Sequence, residues 1–454
     1  MQGPSTASAT HLTDTGSPGG PTVPWGFNEF WGFSPDGTWN AEQADREIAL
    51  ANAIMPRALS AHRLFVQWRR VEGTRDQYNW TVTDRAYQAM QGAEPERKPV
   101  MVIHDAPNWA RDPAAPCPAA GGCTYPPLPQ YDGEWRQFVH DAAVRYPNVR
   151  AIEVWNEPNL AQFWGPAPDP GRYVEVLAAA HDAAAAAGSS APVITAGLSP
   201  VRSTTGTRIS SREFLREIYN QGCACDFEGI GTHAYPRTEP LVDEMWREIN
   251  RLFAVRDNHN DPGTPLWNTE VSVSSDPTEG VGPERQGTEL VRLYRSIEGH
   301  ESEDHEIESF IIYRFHDAAD GTPYWNHTGV LDQGSLDPKP AYCELGAAIG
   351  DSCTDTPDPP DTEAPQTTID SGPQGKTTNA SPSFTFSSSE PDSSFECRLD
   401  SGSWSSCTTP KSYQNLAAGT HVFEVRATDQ AGNTDTTPAA GSFKVIGSGK
   451  RDGG

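Results

Sequence analysis

The chain has 454 residues, more than a single small hydrophobic core needs, so we expect about two or three domains. Its 61 acidic residues outnumber the 34 basic ones, and the formal net charge of -27 argues against binding to nucleic acid or anionic membrane surfaces. No apolar stretch reaches the roughly 18 residues that a transmembrane helix requires. The composition therefore predicts a globular protein with no membrane span.

Two features of the chain indicate where it acts. Residues 1–20 are predicted to be a flexible N-terminus; they lack the basic and apolar segments of a signal peptide, so we expect that a signal has been removed. Pairing between neighbouring cysteines would give short disulfide loops and indicate an oxidising, extracellular compartment, although the loop within "CAC" would be strained. Zinc binding is the alternative, but no His-rich segment accompanies any pair. The close pairs are Cys117 and Cys123, Cys223 and Cys225, Cys343 and Cys353, and Cys397 and Cys407.

Short apolar runs alternate with helical patterns over residues 21–350. The eight predicted strands begin at Val23, Arg63, Pro99, Ala151, Pro192, Gly229, Pro265 and Ser309. Apolar residues at helical spacing predict helices at 134–146, 171–188, 241–255, 287–299 and 340–350. This alternation predicts an α/β fold, a (β/α)8 TIM barrel. A doubly wound open sheet is the alternative, but no Gly-rich dinucleotide loop follows the first strand.

The sequence pattern changes after the predicted barrel. Residues 351–365 are rich in Pro and Asp and predict an extended linker. Residues 366–447 alternate with period two between turn residues, which predicts a small antiparallel β-sandwich with one internal disulfide. Residues 448–454 are predicted to be a flexible tail.

Two glutamates are predicted to reach the same rim of the barrel. Active sites of such barrels form where the C-terminal ends of the strands meet. The fourth predicted strand ends in Asn156 and Glu157, and the seventh contains Glu270. A glycosidase needs one protonated and one ionised carboxyl group beside the scissile bond. Trp155 and Trp164 flank Glu157 and could both raise its pKa and stack against sugar rings.

Other strand ends add candidate binding residues. The second strand carries Arg63, the third ends in His104 and Asp105, and the sixth ends in His233 and Tyr235. Each has a structural alternative, because strand ends often carry satisfied polar groups. Arg63 could serve only as an ion-pair partner, and His233 only as a hydrogen-bonded core histidine.

These motifs, in this order, resemble those of the clan A glycoside hydrolases, particularly families five and thirty-nine. The resemblance covers roughly residues 20–350. "WNEPN" resembles the strand-four signature and implies that Glu157 is the general acid/base and that Asn156 hydrogen-bonds the sugar 2-hydroxyl. "WNTE" resembles the strand-seven signature and implies that Glu270 is the nucleophile.

The resemblance also assigns supporting residues. "GTHAYP" is similar to the strand-six motif and implies that His233 and Tyr235 shape the site, with Tyr235 beside the nucleophile. Arg63 resembles the strand-two arginine that supports the ionised nucleophile. Many members carry a tryptophan at the end of strand eight, whereas this chain reads "IIYRFHDAAD"; we expect Trp325 to fill that place from a loop. The C-terminal segment resembles bacterial Ig-like modules.

The sequence thus predicts a secreted, retaining glycoside hydrolase that cleaves O-glycosidic bonds, expected to be β, through a covalent glycosyl-enzyme. Carbohydrate is the expected substrate, and no metal or organic cofactor is implied. Two alternatives stay open: a non-catalytic carbohydrate-binding or adhesion protein, and a transglycosylase. The Ig-like module could contact glycan or the cell surface.

Overall fold

The computed structural model describes most of the chain in two compact units that divide between residues 356 and 357. The described residues are 23–28, 40–55, 59–91, 96–112, 114–115, 124–222, 226–300, 307–318, 323–332, 336–349, 364–390, 393–429 and 433–447. The predicted flexible N-terminus, most of the predicted linker and the predicted tail lie outside them. No helix in the described ranges has the length and apolar character needed to cross a membrane.

The larger unit is a parallel barrel. Its strands are β1 (Trp25–Asn28), β2 (Arg63–Gln67), β3 (Val100–His104), β4 (Ala151–Asn156), β5 (Val193–Gly197), β6 (Ile230–Thr232), β7 (Leu266–Val271) and β8 (Ile307–Tyr313). They are ordered β5-β4-β3-β2-β1-β8-β7-β6. Parallel bridges from Ile194 to Gly229 and from Leu198 to Thr232 join the two outer strands. The predicted TIM barrel is therefore confirmed.

Helices connect these strands. They are α1 (Ala41–Ala53), α2 (Trp68–Val71), α3 (Thr81–Gln91), α4 (Asp132–Arg145), α5 (Pro170–Ala186), α6 (Ser211–Asn220), α7 (Leu241–Asn258), α8 (Pro283–His300), α9 (Pro323–Asn326) and α10 (Pro340–Ile349). Local sequence sets their starts: the Asp169 side chain accepts a hydrogen bond from the Arg172 amide, and Pro170 follows at the first helical position. Ser210 caps α6 in the same way through the Glu213 amide.

Strand burial explains why these segments read as continuous apolar runs. The residues of β3, β4, β5 and β7 are buried throughout, because helices cover the outside of the barrel and side chains fill its inside. One interior cluster is apolar and consists of Ala61, Val100, Ala151, Ile194, Trp267 and Ile311. Other interior side chains, among them Arg63 and Glu153, are charged and fully buried. Burying charged side chains inside the barrel costs free energy unless they are paired with one another. This charged cluster therefore marks a candidate functional site.

The smaller unit consists of two β-sheets. Its strands are β9 (Thr367–Ser371), β10 (Gly375–Thr377), β11 (Ser383–Ser388), β12 (Ser394–Leu399), β13 (Ser405–Cys407), β14 (Lys411–Ser412), β15 (Gly419–Thr428) and β16 (Ala439–Val445). They are ordered β10-β16-β15-β12-β13 and β14-β11-β9. The all-β architecture is confirmed, and assignment to the Ig-like modules stays a prediction. One pairing differs from the antiparallel expectation: the short edge strand β10 runs parallel to β16.

The described cysteines agree with disulfide formation. Cys397 and Cys407 are bonded within the smaller unit, as predicted. Cys343 is also disulfide-bonded. The other predicted pairings lie outside the described residues, since they involve Cys117, Cys123, Cys223, Cys225 and Cys353.

Candidate active site

Glu157 lies just beyond β4 in a strained backbone segment. Both Trp155 and Glu157 have positive φ angles, 79° and 43°, which non-glycine residues rarely adopt. Such strain persists where surrounding structure holds it, and it is often found at functional sites. Burial raises the pKa of Glu157 to about 7, against the opposing effects of Ser199 and the positive charge of Arg63. This carboxyl group therefore keeps its proton to a higher pH than an ordinary glutamate does.

Glu270 projects from β7 into a set of hydrogen-bond donors. Asn28 at the end of β1 donates from Nδ2 to Oε1 over 2.6 Å. Arg63 donates from Nη1 to the same oxygen, and the Tyr235 hydroxyl donates to Oε2. Donors from β1, from β2 and from the segment after β6 fix the carboxylate, and the guanidinium gives it a buried counter-charge.

His233 lies between the two glutamates. Its Nδ1 is 2.8 Å from Glu157 Oε1 and 3.3 Å from Glu270 Oε2. One oxygen from each glutamate and a ring nitrogen of His233 all lie within 4.8 Å of one another. The structure thus brings together the two acids that the sequence placed at one rim. Burial lowers the pKa of His233 to about 4, so the ring is neutral at physiological pH.

A buried carboxylate that the sequence analysis did not single out supports Arg63. Glu153 on β4 receives two hydrogen bonds from Arg63, from Nε and Nη2, each 3.0 Å long. It also accepts from the Gly197 amide at 2.8 Å and from Thr269 Oγ1 at 3.1 Å. Burial alone would lower the pKa of Arg63, but the charges of Glu153 and Glu270 raise it. The presence of a glutamate inside the apolar run "AIEVW" could have identified Glu153 from the sequence.

Asn28 is the second functional residue that sequence reasoning missed. In the sequence, Asn28 is simply a polar residue at the end of the first strand. Many strands end in a polar residue, so this position does not indicate a function. Asn156, by contrast, was predicted, and its Oδ1 accepts from Arg63 Nη2 over 3.1 Å. Arg63 therefore links the segment beside Glu157 with Glu270.

His104 and Trp164 are more deeply enclosed than predicted substrate contacts should be. Trp164 is only 1% exposed, because its ring packs edge-on between Trp155 at 5.0 Å and Tyr173 at 5.6 Å. It therefore supports Trp155 rather than offering a face to a sugar. His104 is 3% exposed and lies edge-on to Trp155, and burial lowers its pKa to about 3. Both of its ring nitrogens are buried without a hydrogen-bond partner among the described residues, so the structure does not show the satisfied polar group of the structural alternative, and substrate binding by His104 stays a prediction.

Trp325 lies beside the site, but on the short helix α9 rather than in the predicted loop. Its half-buried ring is edge-on to Tyr235, with ring centroids 5.0 Å apart, and edge-on to Tyr313 at 5.7 Å. The glutamates are narrowly accessible, since the side chains of Glu157 and Glu270 are 11% and 7% exposed. The two carboxyl groups are thus only slightly exposed and lie close to aromatic side chains.

The same three groups offer ligand atoms that a cation could bind, namely Glu157, His233 and Glu270. Their present contacts suit proton transfer instead. The Glu157 carboxyl has a raised pKa, and the Arg63 guanidinium already neutralises Glu270. A fixed positive charge against one of the acids opposes cation binding there.

No model of a known family and no curated protein matches the sequence. Among solved structures, the fold is similar to a family 39 glycoside hydrolase from the gut symbiont Bacteroides cellulosilyticus WH2, at 14% identity and a TM-score of 0.52, covering 93% of this chain and 80% of that chain. It is also similar to GH5_18 from Streptomyces cattleya in complex with GlcNAc, at 15% identity and a TM-score of 0.52, covering 73% and 80%. At these identities the likeness shows the fold, and it is the fold of the families that the motifs resemble.

Proposed function

We propose that this protein is a retaining glycoside hydrolase. The observation that carries the proposal is the pair of carboxyl groups in unlike environments, with oxygens of Glu157 and Glu270 within 4.8 Å of each other. Retaining enzymes place their carboxyl groups about 5–5.5 Å apart, whereas inverting enzymes leave about 6.5–9.5 Å for a water molecule. The glycoside hydrolases named above, which share this fold, support the same reading.

The proposed reaction has two steps. In the first, the Glu270 carboxylate attacks the anomeric carbon while Glu157 gives its proton to the departing glycosidic oxygen, and a covalent glycosyl-enzyme forms. In the second, Glu157 takes a proton from water, whose oxygen attacks the same carbon and releases Glu270. The pKa of Glu157, near 7, suits a group that serves first as acid and then as base.

The remaining residues have positioning roles in this proposal. Arg63, Asn28 and Tyr235 hold Glu270 for attack. Neutral His233 orients the glutamates, and Asn156 is available to the sugar 2-hydroxyl. We further propose that the protein acts outside the cell and that the smaller unit is an Ig-like module. The spacing of the cysteines and the disulfide in that unit support this location.

Glutamine variants test the two roles separately. On a panel of aryl β-glycosides, Glu270→Gln should lose at least about 1,000-fold in kcat, because no nucleophile remains. Glu157→Gln should lose about 100- to 10,000-fold in kcat/KM on substrates with poor leaving groups and much less in kcat/KM on a dinitrophenyl glycoside, because dinitrophenolate departs without a proton. Glu284→Gln, on the exposed first turn of α8, is the matched control.

The stereochemistry of the first product decides the mechanism. Proton NMR of the nascent sugar should show the anomer of the substrate, and an inverted anomer would reject Glu270 as nucleophile. Sugar transfer at high acceptor concentration would identify a transglycosylase. Binding of glycans without hydrolysis across the panel would instead indicate a carbohydrate-binding protein.

A further inference from the structure

An exposed arginine packs over the aromatic rings beside the site. Arg237 follows the Tyr235 segment by two residues and is exposed to solvent. Its guanidinium carbon lies 3.9 Å from the ring centroid of Tyr324 and 5.3 Å from that of Trp325. Within the described parts of the chain, its side chain forms no ion pair with a carboxylate. Trp325 contacts Tyr235, and Tyr235 donates to Glu270, so two aromatic side chains connect this charge with the proposed nucleophile.

The backbone that carries Arg237 is held firmly. The Arg237 amide donates to Glu244 Oε2 over 2.7 Å, and the amide and hydroxyl of Thr238 donate to the same oxygen. The Tyr324 hydroxyl donates to the Pro236 carbonyl over 3.2 Å, so the ring beneath the guanidinium is attached to the same segment. Contacts with Glu244 on one side and with Tyr324 on the other thus fix the backbone at Arg237.

The chain around this arginine is strongly acidic. With 61 acidic residues against 34 basic ones, its long-range field repels anions. Recognition of an anionic ligand would therefore have to be local. A planar guanidinium stacked on aromatic rings keeps its outer edge free to form two parallel hydrogen bonds with a carboxylate or a sulfate.

We propose that Arg237 selects a glycoside that carries an anionic group, a carboxylate or a sulfate ester, on the sugar that packs at Trp325. This inference rests on the proposed glycosidase function and names its substrate class. The alternative is structural: Arg237 covers the Tyr324 ring through a cation–π contact and has no role in selection.

The test uses three matched substrates in each sugar series: a neutral nitrophenyl β-glycoside, its 6-carboxylate and its 6-sulfate. The full chain should hydrolyse one of the anionic members with at least about tenfold higher kcat/KM than the neutral one. In Arg237→Gln the ratio of anionic to neutral kcat/KM should fall about ten- to a hundredfold, the range expected for lost hydrogen bonds to a charged group. Arg237→Lys should give an intermediate ratio, because it keeps the charge and loses the planar fork.

Arg247→Gln is the control, since it removes the same charge from an exposed position on α7. It should leave the ratio as in the wild-type protein. Preference for the neutral substrate, or a ratio unchanged in Arg237→Gln, would overturn the inference while leaving the glycosidase proposal intact. Failure to hydrolyse any member of any series would instead reject the proposed function and this inference with it. Which anionic substrate shows the larger change identifies the group as carboxylate or sulfate.

Discussion

At the residue scale, Glu157 and Glu270 have the same side chain and similar burial but different hydrogen-bond partners. Burial raises the pKa of Glu157 to about 7. Glu270 is equally enclosed but receives donors from Asn28, Arg63 and Tyr235. Because burial favours the neutral form of a carboxyl group, the raised pKa supports Glu157 as the proposed acid.

This assignment predicts how activity depends on pH. The general acid works only while protonated, so kcat/KM on substrates with poor leaving groups should fall as pH rises through about 7, the pKa of Glu157. His233, whose pKa is about 4, is already neutral in this range and contributes no change. A pH–rate profile in the wild type and in Glu157→Gln measures the effect, and the high-pH limb should be absent from the variant on a dinitrophenyl glycoside.

Asp105 is a second carboxyl group whose titration could change activity in a similar pH range. Burial raises its pKa to about 6, against the opposing charges of Arg69 and Arg111. The high-pH limb should therefore persist in Asp105→Asn. Its disappearance there, or its survival in Glu157→Gln, would contradict the assignment of the acid.

The sequence predicted some residues of the site and missed others for a physical reason. Glu157, Glu270 and His233 were predicted because each lies at or near the end of a recognisable strand. Glu153 was missed because its role depends on contacts across the barrel, with Arg63 on β2 and Thr269 on β7. A strand pattern shows which residues are buried but does not show which of them meet.

Strand positions could be predicted well at the element scale, because parallel strands covered on both faces are continuous apolar runs. The prediction for the strand from Gly229 was too long: β6 ends at Thr232, and the chain then carries His233 and Tyr235 into the site. The positive φ of Glu157 was also unpredictable, since propensity favours Gly or Asn there. In both places the chain leaves regular strand geometry, and there it carries a side chain of the candidate site.

Strand β5 shows how an element without site side chains still shapes the site. A Cβ atom on Gly197 would lie 2.1 Å from His233 Nε2 and 2.5 Å from Thr269 Oγ1. Gly197→Ala should therefore displace His233 from Glu157 and lower kcat on the order of 100-fold, as misplacement by about 1 Å does elsewhere. Steady-state kinetics measure the loss, with circular dichroism to verify the fold.

The matched control is Gly133→Ala on α4. A Cβ there meets nothing within 4 Å, so kcat should not change. The substitution should also stabilise the helix by about 0.5–1 kcal/mol. Wild-type kcat in Gly197→Ala would show that His233 does not need its present position.

The chain is divided into two units at the scale of the whole molecule, and each has its own core. The barrel core contains the large buried aromatics, such as Trp68 and Trp135, whereas the smaller unit packs Phe384, Phe423 and Phe443. The change from mixed periodicity to period two predicted this division, because periodicity reports which faces an element must bury. The parallel pairing of β10 was not predictable, since three residues at a sheet edge carry too little pattern to fix direction.

Because the two units have separate cores, we expect two separate unfolding transitions. Removing the disulfide of the smaller unit should change the unfolding temperature of that unit alone. Replacing both Cys397 and Cys407 by Ser opens a loop with a sequence separation of 10. On the chain-entropy model this should destabilise the smaller unit by about 2–3 kcal/mol. Calorimetry should show its transition at lower temperature while that of the barrel is unchanged, because the bond lies in the core of the smaller unit. Hydrolysis of a small aryl glycoside should also be unchanged, and a shift of both transitions together would show that the two units unfold cooperatively.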